Sequence, residues 1–125
     1  KKRLKNKKIT FLGVTFKANT DDMRDSSSLV MIPKLSKKGA VIKYYDPTGH
    51  KLEFNKYKNV FFVNNIKNAI KGSDLVIIHT EWNDFKSINF KALSKEKKFK
   101  IFDMRNIYTQ TKINDHGLVY FSIGR

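Results

Sequence analysis

Six short apolar runs recur along the chain, each four to six residues long and each followed or preceded by a polar segment. Runs of this length, rich in β-branched and aromatic residues, are typical of buried strands. Apolar residues at helical spacing between the runs predict short helices. The predicted strands cover residues 9–14, 41–45, 60–63, 75–80, 100–103 and 118–122.

The first predicted helix follows three serines, Ser26 to Ser28, which are candidate N-caps. Gly39 suits the position just after a helix C-terminus, because glycine adopts the left-handed conformation needed there. Pro33 lies inside this segment, so we expect either a kink or a late start of the helix. Further helical segments are predicted at residues 65–71, 90–97 and 111–115.

The alternation of strands and helices predicts an α/β fold. Continuously apolar strands favour a parallel sheet that is covered on both faces. Right-handed crossovers then favour the strand order 3-2-1-4-5-6. We therefore predict a single Rossmann-like, doubly wound domain with a mainly parallel six-stranded sheet over residues 9–125, preceded by a basic segment at residues 1–8.

Composition narrows the class of protein. A chain of 125 residues corresponds to one domain. The absence of cysteine excludes a disulfide scaffold, a thiolate metal site and a cysteine nucleophile within this chain. The apolar runs are too short to cross a bilayer, and the first residues do not form a secretory signal. These features predict a soluble, cytoplasmic protein with no membrane partner.

Positive charge dominates the chain, with 26 Lys and Arg against 11 acidic residues and a net charge of +15. Lysine accounts for nearly all of it, whereas readout of bases and phosphates favours arginine. Two interpretations stay open: a solvated surface, or a contact with a polyanion such as nucleic acid. The aromatic residues Trp82, Phe85 and Phe90 fit either core packing or a base-stacking platform.

The chain leaves the first, fourth and fifth predicted strands through the segments 15–17, 80–82 and 103–105, which bring two cations, two aromatic residues and two carboxylates to one edge of the sheet. In an open parallel sheet, ligands bind beyond the carboxyl ends of the strands, where the winding direction reverses. Three cations near this edge suit an anionic ligand such as a pyrophosphate. They are Lys17, Arg24 and Arg105. The alternative is that they form surface ion pairs with Asp21, Asp22, Asp25 and Asp103.

Other motifs for chemistry are weak. The turn after the first strand contains only Gly13, so the G-x-G-x-x-G dinucleotide motif is absent. Asp21 and Asp22 lack a partner at metal-ligand spacing. Asp46 precedes Pro47 and fits a turn better than a ribose-binding acid. The histidines are not arranged as a triad. We therefore predict no catalytic residue and no metal site in this chain.

The segment 12–28 closely resembles the F-K-x-x-T-D-D-x-R-x-S-x-S signature of the UDP-glucose/GDP-mannose dehydrogenase family, at the start of that family's C-terminal UDP-binding domain. Three further blocks agree in order and spacing, as does the chain end at 120–125. The blocks are Tyr44–Pro47, Thr80–Trp82 and Phe102–Asn106. The resemblance covers residues 7–125 and is greatest to the UDP-glucose 6-dehydrogenases of the family.

The resemblance implies roles for four residues. Phe16, Lys17 and Arg105 match positions that contact the UDP-sugar, and Arg24 matches a position that reaches the cofactor NAD. The family reaction is a two-step, NAD-dependent oxidation of the sugar C6 alcohol to a carboxylate through a cysteine-bound intermediate. UDP-glucose would become UDP-glucuronate, and this chain would be the C-terminal third of the enzyme, inactive alone.

The resemblance also implies partners. They are UDP-glucose, an N-terminal domain that binds NAD and carries the catalytic residues, and a second copy in a homodimer. Residues 1–8 would end the helix that links the two domains, and no specific nucleic acid would be bound. Two alternatives stay open: a stand-alone basic module that binds nucleic acid, and a dehydrogenase for another nucleotide sugar.

Overall fold

The computed structural model of the chain describes residues 4–108 and 118–122. Strands and helices alternate within these residues, and short 3-10 turns occur at Leu52–Phe54 and Asn83–Phe85. The strands are β1 (Lys8–Leu12), β2 (Val41–Tyr45), β3 (Val60–Phe62), β4 (Leu75–Ile78), β5 (Lys100–Asp103) and β6 (Val119–Ser122). The α-helices are α1 (Ser28–Lys37), α2 (Ile66–Ile70) and α3 (Phe90–Leu93).

The strands form one sheet in the order β3-β2-β1-β4-β5-β6, and every neighbouring pair is parallel. Ile9 of β1 lies opposite Ile42 of β2 on one side and Leu75 of β4 on the other. The predicted fold class and strand order are therefore confirmed. The winding reverses between β1 and β4, so the edge beyond their carboxyl ends is the expected ligand position.

Each face of the sheet carries its own apolar core, which explains why the strands are apolar on both sides. Helix α1 and the turn at Leu52–Phe54 cover one face, over Phe11, Ile42 and Tyr44. Helices α2 and α3 cover the other face, over Leu12, Val76, Ile78 and Ile101. The central strands are held between these layers, so the ends of β1 and β4 are rigidly placed.

β1 and β4 end earlier than predicted, at Leu12 and Ile78. Gly13 turns the chain away from the sheet with a φ of +80°, a conformation that only glycine adopts without strain. Its N–H donates to the carbonyl oxygen of Tyr45 at 2.7 Å. The residues that follow both strands therefore belong to the carboxyl edge of the sheet rather than to its ladder.

Helix α1 starts at Ser28 and continues through Pro33, so the late start considered above does not occur. The side chains of Ser26 and Ser28 each donate to the carbonyl oxygen of Val14 at 2.6 Å. These two bonds tie the start of the helix to the chain leaving β1. Pro33 costs the helix one backbone hydrogen bond, which this anchoring and the burial of Ile32 offset.

Helix α3 is shorter than the predicted segment 90–97, because it ends at Leu93. The Ser94 hydroxyl donates to the carbonyl oxygen of Lys91 at 3.0 Å, and the predicted residues beyond it, 95–97, are exposed charged residues with no apolar face. The predicted helical turn at 111–115 lies outside the described residues. Among the helices of the described ranges, none is both long and apolar enough to cross a membrane.

Candidate functional site at the carboxyl edge of the sheet

The chains leaving β1 and β4 come into close contact beyond the sheet. A Cβ on Gly13 would lie 2.6 Å from the Cβ of Thr80, far inside van der Waals contact. The Thr80 hydroxyl donates to the carbonyl oxygen of Thr15 at 3.0 Å. Both threonines are completely buried. This junction is the floor from which the exposed residues of the edge project.

The loop after β1 turns back on itself through backbone hydrogen bonds. Phe16 N donates to the carbonyl oxygen of Asp22 at 2.9 Å, and the Thr15 hydroxyl donates to the carbonyl oxygen of Lys17 at 3.0 Å. Asn19 and Asp25 adopt the left-handed conformation, with φ of 64° and 61°, which Asn and Asp tolerate better than other side chains. The loop thus leaves Phe16 and Lys17 exposed, with 45% of Phe16 accessible.

Arg105 lies across the ends of three strands. Its Nε donates to the carbonyl oxygen of His79 at 2.7 Å, after β4, and its Nη2 to the carbonyl oxygen of Phe16 at 3.4 Å, after β1. Its Nη1 lies 3.7 Å from Oε1 of Glu81. The structure therefore brings Phe16, Lys17 and Arg105 to the same edge, as the sequence predicted. One third of the Arg105 side chain stays accessible.

Asp103 is the buried anchor of this arginine. Its carboxylate is inaccessible to solvent, with Oδ1 accepting from the backbone N–H of Arg105 at 3.0 Å. Oδ2 accepts from the backbone N–H of Tyr108 at 3.1 Å and from the Tyr120 hydroxyl at 2.7 Å. The alternative of a surface ion pair between Asp103 and a cation is wrong, because the carboxylate faces backbone and tyrosine donors. The guanidinium pairs with Glu81 instead.

Arg24 lies on the far limb of the same loop and does not join Arg105. Its Nε and Nη2 donate to the two carboxylate oxygens of Asp22 at 3.0 and 3.1 Å. This hydrogen-bonded guanidinium lowers the pKa of Asp22, with a smaller Coulombic contribution from Lys17. The Arg24 side chain is 88% accessible. For Arg24 the alternative of a surface ion pair with Asp22 is therefore confirmed.

His79 is a residue of this edge that the sequence reasoning did not identify. It is completely buried, with Nε2 at 2.8 Å from the Ser27 hydroxyl and Nδ1 at 2.9 Å from the Thr80 hydroxyl. Burial, followed by the positive charge of Arg105, lowers the pKa of its imidazole to about 4. It is therefore neutral at physiological pH. The only signal in the sequence was a histidine near the end of a predicted buried strand.

Four other residues considered above, Asp46 and three aromatic residues, have structural roles. Asp46 is buried and accepts from Val14 N at 2.8 Å and from the backbone and hydroxyl of Thr48 at 2.9 and 2.6 Å. It is therefore a turn residue, as expected. The aromatic residues of the β4–β5 connection belong to the core rather than to a stacking platform. They are Trp82, Phe85 and Phe90, at most 7% accessible.

A hollow of about 490 Å³ lies at the opposite, amino edge of the sheet, lined by residues such as Leu4, Ile9, Phe99 and Val119. Its volume does not make it the ligand site, because ligands of parallel sheets bind at the carboxyl edge, where the loops supply polar groups. Within the described ranges, no three acidic or histidine side chains gather as a metal site would require.

The model of the UDP binding domain of the UDP-glucose/GDP-mannose dehydrogenase family matches residues 10–110.

The chain belongs to this family.

Among its relatives, the UDP-glucose 6-dehydrogenase of Rhizobium meliloti (strain 1021) is 37% identical over 98% of this chain. The UDP-glucose 6-dehydrogenase YwqF of Bacillus subtilis (strain 168) is 38% identical over 95%. In both cases the chain spans 28% of the relative's length, as the C-terminal part. It thus matches the UDP-binding part of dehydrogenases that are longer than itself.

Solved structures of related dehydrogenases share the fold. The UDP-D-ManNAc dehydrogenase of Pyrococcus horikoshii superimposes with a TM-score of 0.77 at 26% identity, covering 98% of this chain and 26% of that one. The NDP-N-acetyl-D-galactosaminuronic acid dehydrogenase of Methanosarcina mazei Go1 gives a TM-score of 0.82 at 23% identity, covering 98% and 25%. The second likeness supports the Rossmann-like architecture alone.

Proposed function

We propose that this chain binds the diphosphate of a UDP-sugar at the carboxyl edge of its sheet, as the UDP-binding part of a longer NAD-dependent UDP-glucose 6-dehydrogenase. The observation that carries the proposal is the position of Arg105, which is held across the ends of β1 and β4 beside the exposed Phe16 and Lys17. A guanidinium offers a planar set of donors that matches phosphate oxygens, and a lysine adds a mobile positive charge.

The three residues have different tasks in this proposal. Arg105 and Lys17 neutralise the diphosphate, and Phe16 contacts the UDP-sugar from the loop after β1. Arg105 is held only loosely by Glu81, at 3.7 Å. A phosphate would replace Glu81 as its partner, because a phosphate carries more charge than a carboxylate. The contribution of this part of the enzyme is then binding and orientation.

NAD is assigned mainly to a domain outside this chain. The turn after β1 has a single glycine. Asp46 lies where a ribose-binding acid would lie, but its carboxylate already accepts hydrogen bonds from Val14 and Thr48. This chain's own residues therefore do not fit an ordinary dinucleotide site. We assign to Arg24 a contact with NAD that the N-terminal domain holds, made after its pair with Asp22 opens.

The whole enzyme would oxidise UDP-glucose to UDP-glucuronate as a homodimer, with the catalytic residues in the N-terminal domain. NAD would accept the electrons of both oxidation steps. The isolated chain would bind UDP weakly and turn over no substrate. The nucleic-acid alternative is not favoured, because the aromatic residues that would stack on bases are buried.

Isothermal titration of the 125-residue chain with UDP tests the binding proposal. Lys17→Ala and Arg105→Ala are each expected to weaken binding about tenfold, since each removes a charge-assisted contact. Lys37→Ala removes an exposed lysine at the far end of α1 and is the matched control. Equal affinity of all four proteins, or no binding by the parent chain, contradicts the proposal. Competition between UDP-glucose and GDP-mannose then tests the choice of nucleotide sugar.

A further inference from the structure

The imidazole of His79 joins three segments that surround the proposed UDP site. Its Nε2 faces the Ser27 hydroxyl before α1, and its Nδ1 faces the Thr80 hydroxyl after β4. Thr80 in turn holds the carbonyl oxygen of Thr15 in the loop after β1. The backbone carbonyl of His79 accepts from Arg105. One buried residue therefore bonds directly to Ser27, Thr80 and Arg105, and through Thr80 it connects to the loop that carries Lys17.

The hydrogen-bond partners determine which ring nitrogen carries the proton. The Thr80 hydroxyl has a single hydrogen, and it donates this to the carbonyl oxygen of Thr15, which can only accept. Thr80 must therefore accept from His79, so Nδ1 is protonated. Nε2 is then unprotonated and accepts from the Ser27 hydroxyl at 2.8 Å. The result is a chain of donors that runs in one direction from Ser27 through His79 and Thr80 to Thr15.

The direction of this series of hydrogen bonds matters for the loop after β1. Thr15 receives the last hydrogen bond at its carbonyl group, while its own hydroxyl holds the carbonyl oxygen of Lys17 at 3.0 Å. Loss of the imidazole would remove one hydrogen bond from the exposed Ser27 hydroxyl and one from the buried Thr80 hydroxyl. Thr80, which holds the loop through Thr15, would then lose the donor that orients it. A loop displaced by about 1 Å binds a diphosphate in a poorer geometry.

We propose that neutral His79, protonated at Nδ1, is a positioning residue that sets the geometry of Lys17 and Arg105 for the nucleotide diphosphate. It contacts no ligand itself. This inference rests on the proposed UDP site for its functional consequence. The tautomer and the series of hydrogen bonds, however, are properties of the 125-residue polypeptide alone. The two are therefore tested by different measurements.

Long-range ¹H–¹⁵N NMR of the labelled 125-residue chain tests the tautomer directly. We expect Nδ1 to be protonated in His79. His50 is the internal control with the opposite tautomer, because its Nε2 faces Oδ1 of Asn55, which can only accept. A protonated Nε2 in His79 would overturn the inference, whatever the chain binds.

Titration with UDP tests the functional part. His79→Leu removes both ring contacts and is expected to raise the Kd for UDP about tenfold. His79→Asn keeps an N–H near the position of Nδ1 and is expected to recover most of the affinity, and His50→Leu to leave it unchanged. A folded His79→Leu chain that binds UDP as the parent does would overturn the inference.

Two further measurements cover the remaining outcomes. If the parent chain binds no UDP, the proposed function fails, and the NMR signals of the Lys17 amide and the Arg105 Nε–H decide the inference. They must shift in His79→Leu, and unchanged signals overturn it. If His79→Leu does not fold, Ser27→Ala removes only the exposed donor to Nε2. The tautomer should persist in that variant, because Thr80 sets it, and unchanged Lys17 and Arg105 signals then overturn the inference.

Discussion

The two edges of the sheet both carry positive charge, but they hold it differently. At the carboxyl edge, Arg105 is held by the buried Asp103 below it and by the carbonyl groups of two strand ends. At the amino edge, lysines project into solvent around a single carboxylate, Asp74. They include Lys7, Lys8, Lys97 and Lys98.

This contrast shows that charge alone does not define a binding site. Lys97 forms an ion pair of 2.9 Å with Asp74, yet 45% of its side chain is accessible, so the pair holds no rigid geometry. Arg105 has three of its donors placed by backbone and carboxylate groups. A ligand at the carboxyl edge meets a preorganised cation, which lowers the entropic cost of binding.

The contact between β1 and β4 gives the largest expected effect. Gly13→Ala places a Cβ at 2.6 Å from Thr80 in a left-handed conformation, and we expect a loss of about 4 kcal/mol in the free energy of unfolding. Gly72 at the amino edge has a similar φ of +77° but no atom within 4 Å of a Cβ. Gly72→Ala should cost only about 1 kcal/mol. Urea unfolding of both variants measures the difference, and equal losses would show that the junction is not tightly packed.

The buried imidazole makes stability depend on pH. The pKa of His79 falls from 6.5 to about 4 on folding, so the unfolded chain binds the proton more tightly. Stability is complete above pH 6.5 and is lost progressively as the pH falls to about 4, by about 3 kcal/mol. Burial is the main cause of the lowered pKa of His79. The charge of Arg105 lowers this pKa further, whereas Asp46 and the backbone of Gly13 raise it.

Thermal unfolding of the parent chain and of His79→Asn across this range checks the prediction. The variant should lose less stability than the parent as the pH falls, while His50→Asn should follow the parent. Parallel curves for parent and His79→Asn would mean that another group is responsible.

Asp103 at the carboxyl edge and Asp74 at the amino edge allow a direct comparison of the two edges. Asp103→Asn replaces a fully buried acceptor of three hydrogen bonds with a group that must turn an N–H₂ toward a donor. We expect a loss of about 2 kcal/mol in the free energy of unfolding. Asp21→Asn, on the exposed loop, is the control and should change stability little. A loss no larger than that of the control would exclude Asp103 as an anchor.

Asp74 gives the smallest expected effect. Burial raises the pKa of its carboxyl, but hydrogen bonds from Lys8 N and from Lys97 outweigh burial, and the pKa is lowered below 3.8. Its contribution is therefore present above pH 3.8 and is lost as the pH falls below that value. Asp74→Asn should cost at most about 1 kcal/mol at neutral pH. Urea unfolding in low and high salt measures it, and a cost as large as that of Asp103→Asn would remove the contrast between the edges.

Much of the fold was predictable because its signals are local. β2 and β5 have the predicted bounds. An aspartate ends each apolar run, Asp46 after β2 and Asp103 in β5, and it accepts a hydrogen bond from the turn that follows. The strand order followed from the handedness of crossovers, which is the same in nearly all parallel sheets. The end of β1 was placed two residues too late, because Gly13 and Val14 are apolar although they have already left the sheet.

The candidate site was predictable in its residues but not in its pairs. Arg105 and Lys17 were located by where their strands end, which the topology specifies. The partner of Arg105 was not, because Glu81 reaches it only through the spacing of β4 and β5. The role of His79 likewise depends on Ser27, which is 52 residues away in sequence.

The sequence by itself thus determined the strands, their order and the edge at which the cations gather. The signals for these features, which are the apolar runs, the position of glycine and the handedness of crossovers, depend on residues that are close together in sequence. The tertiary structure alone decided which carboxylates are buried, which arginine is held and which nitrogen of His79 bears the proton. Those properties depend on donors and acceptors that come together only when β1, β4 and β5 lie side by side.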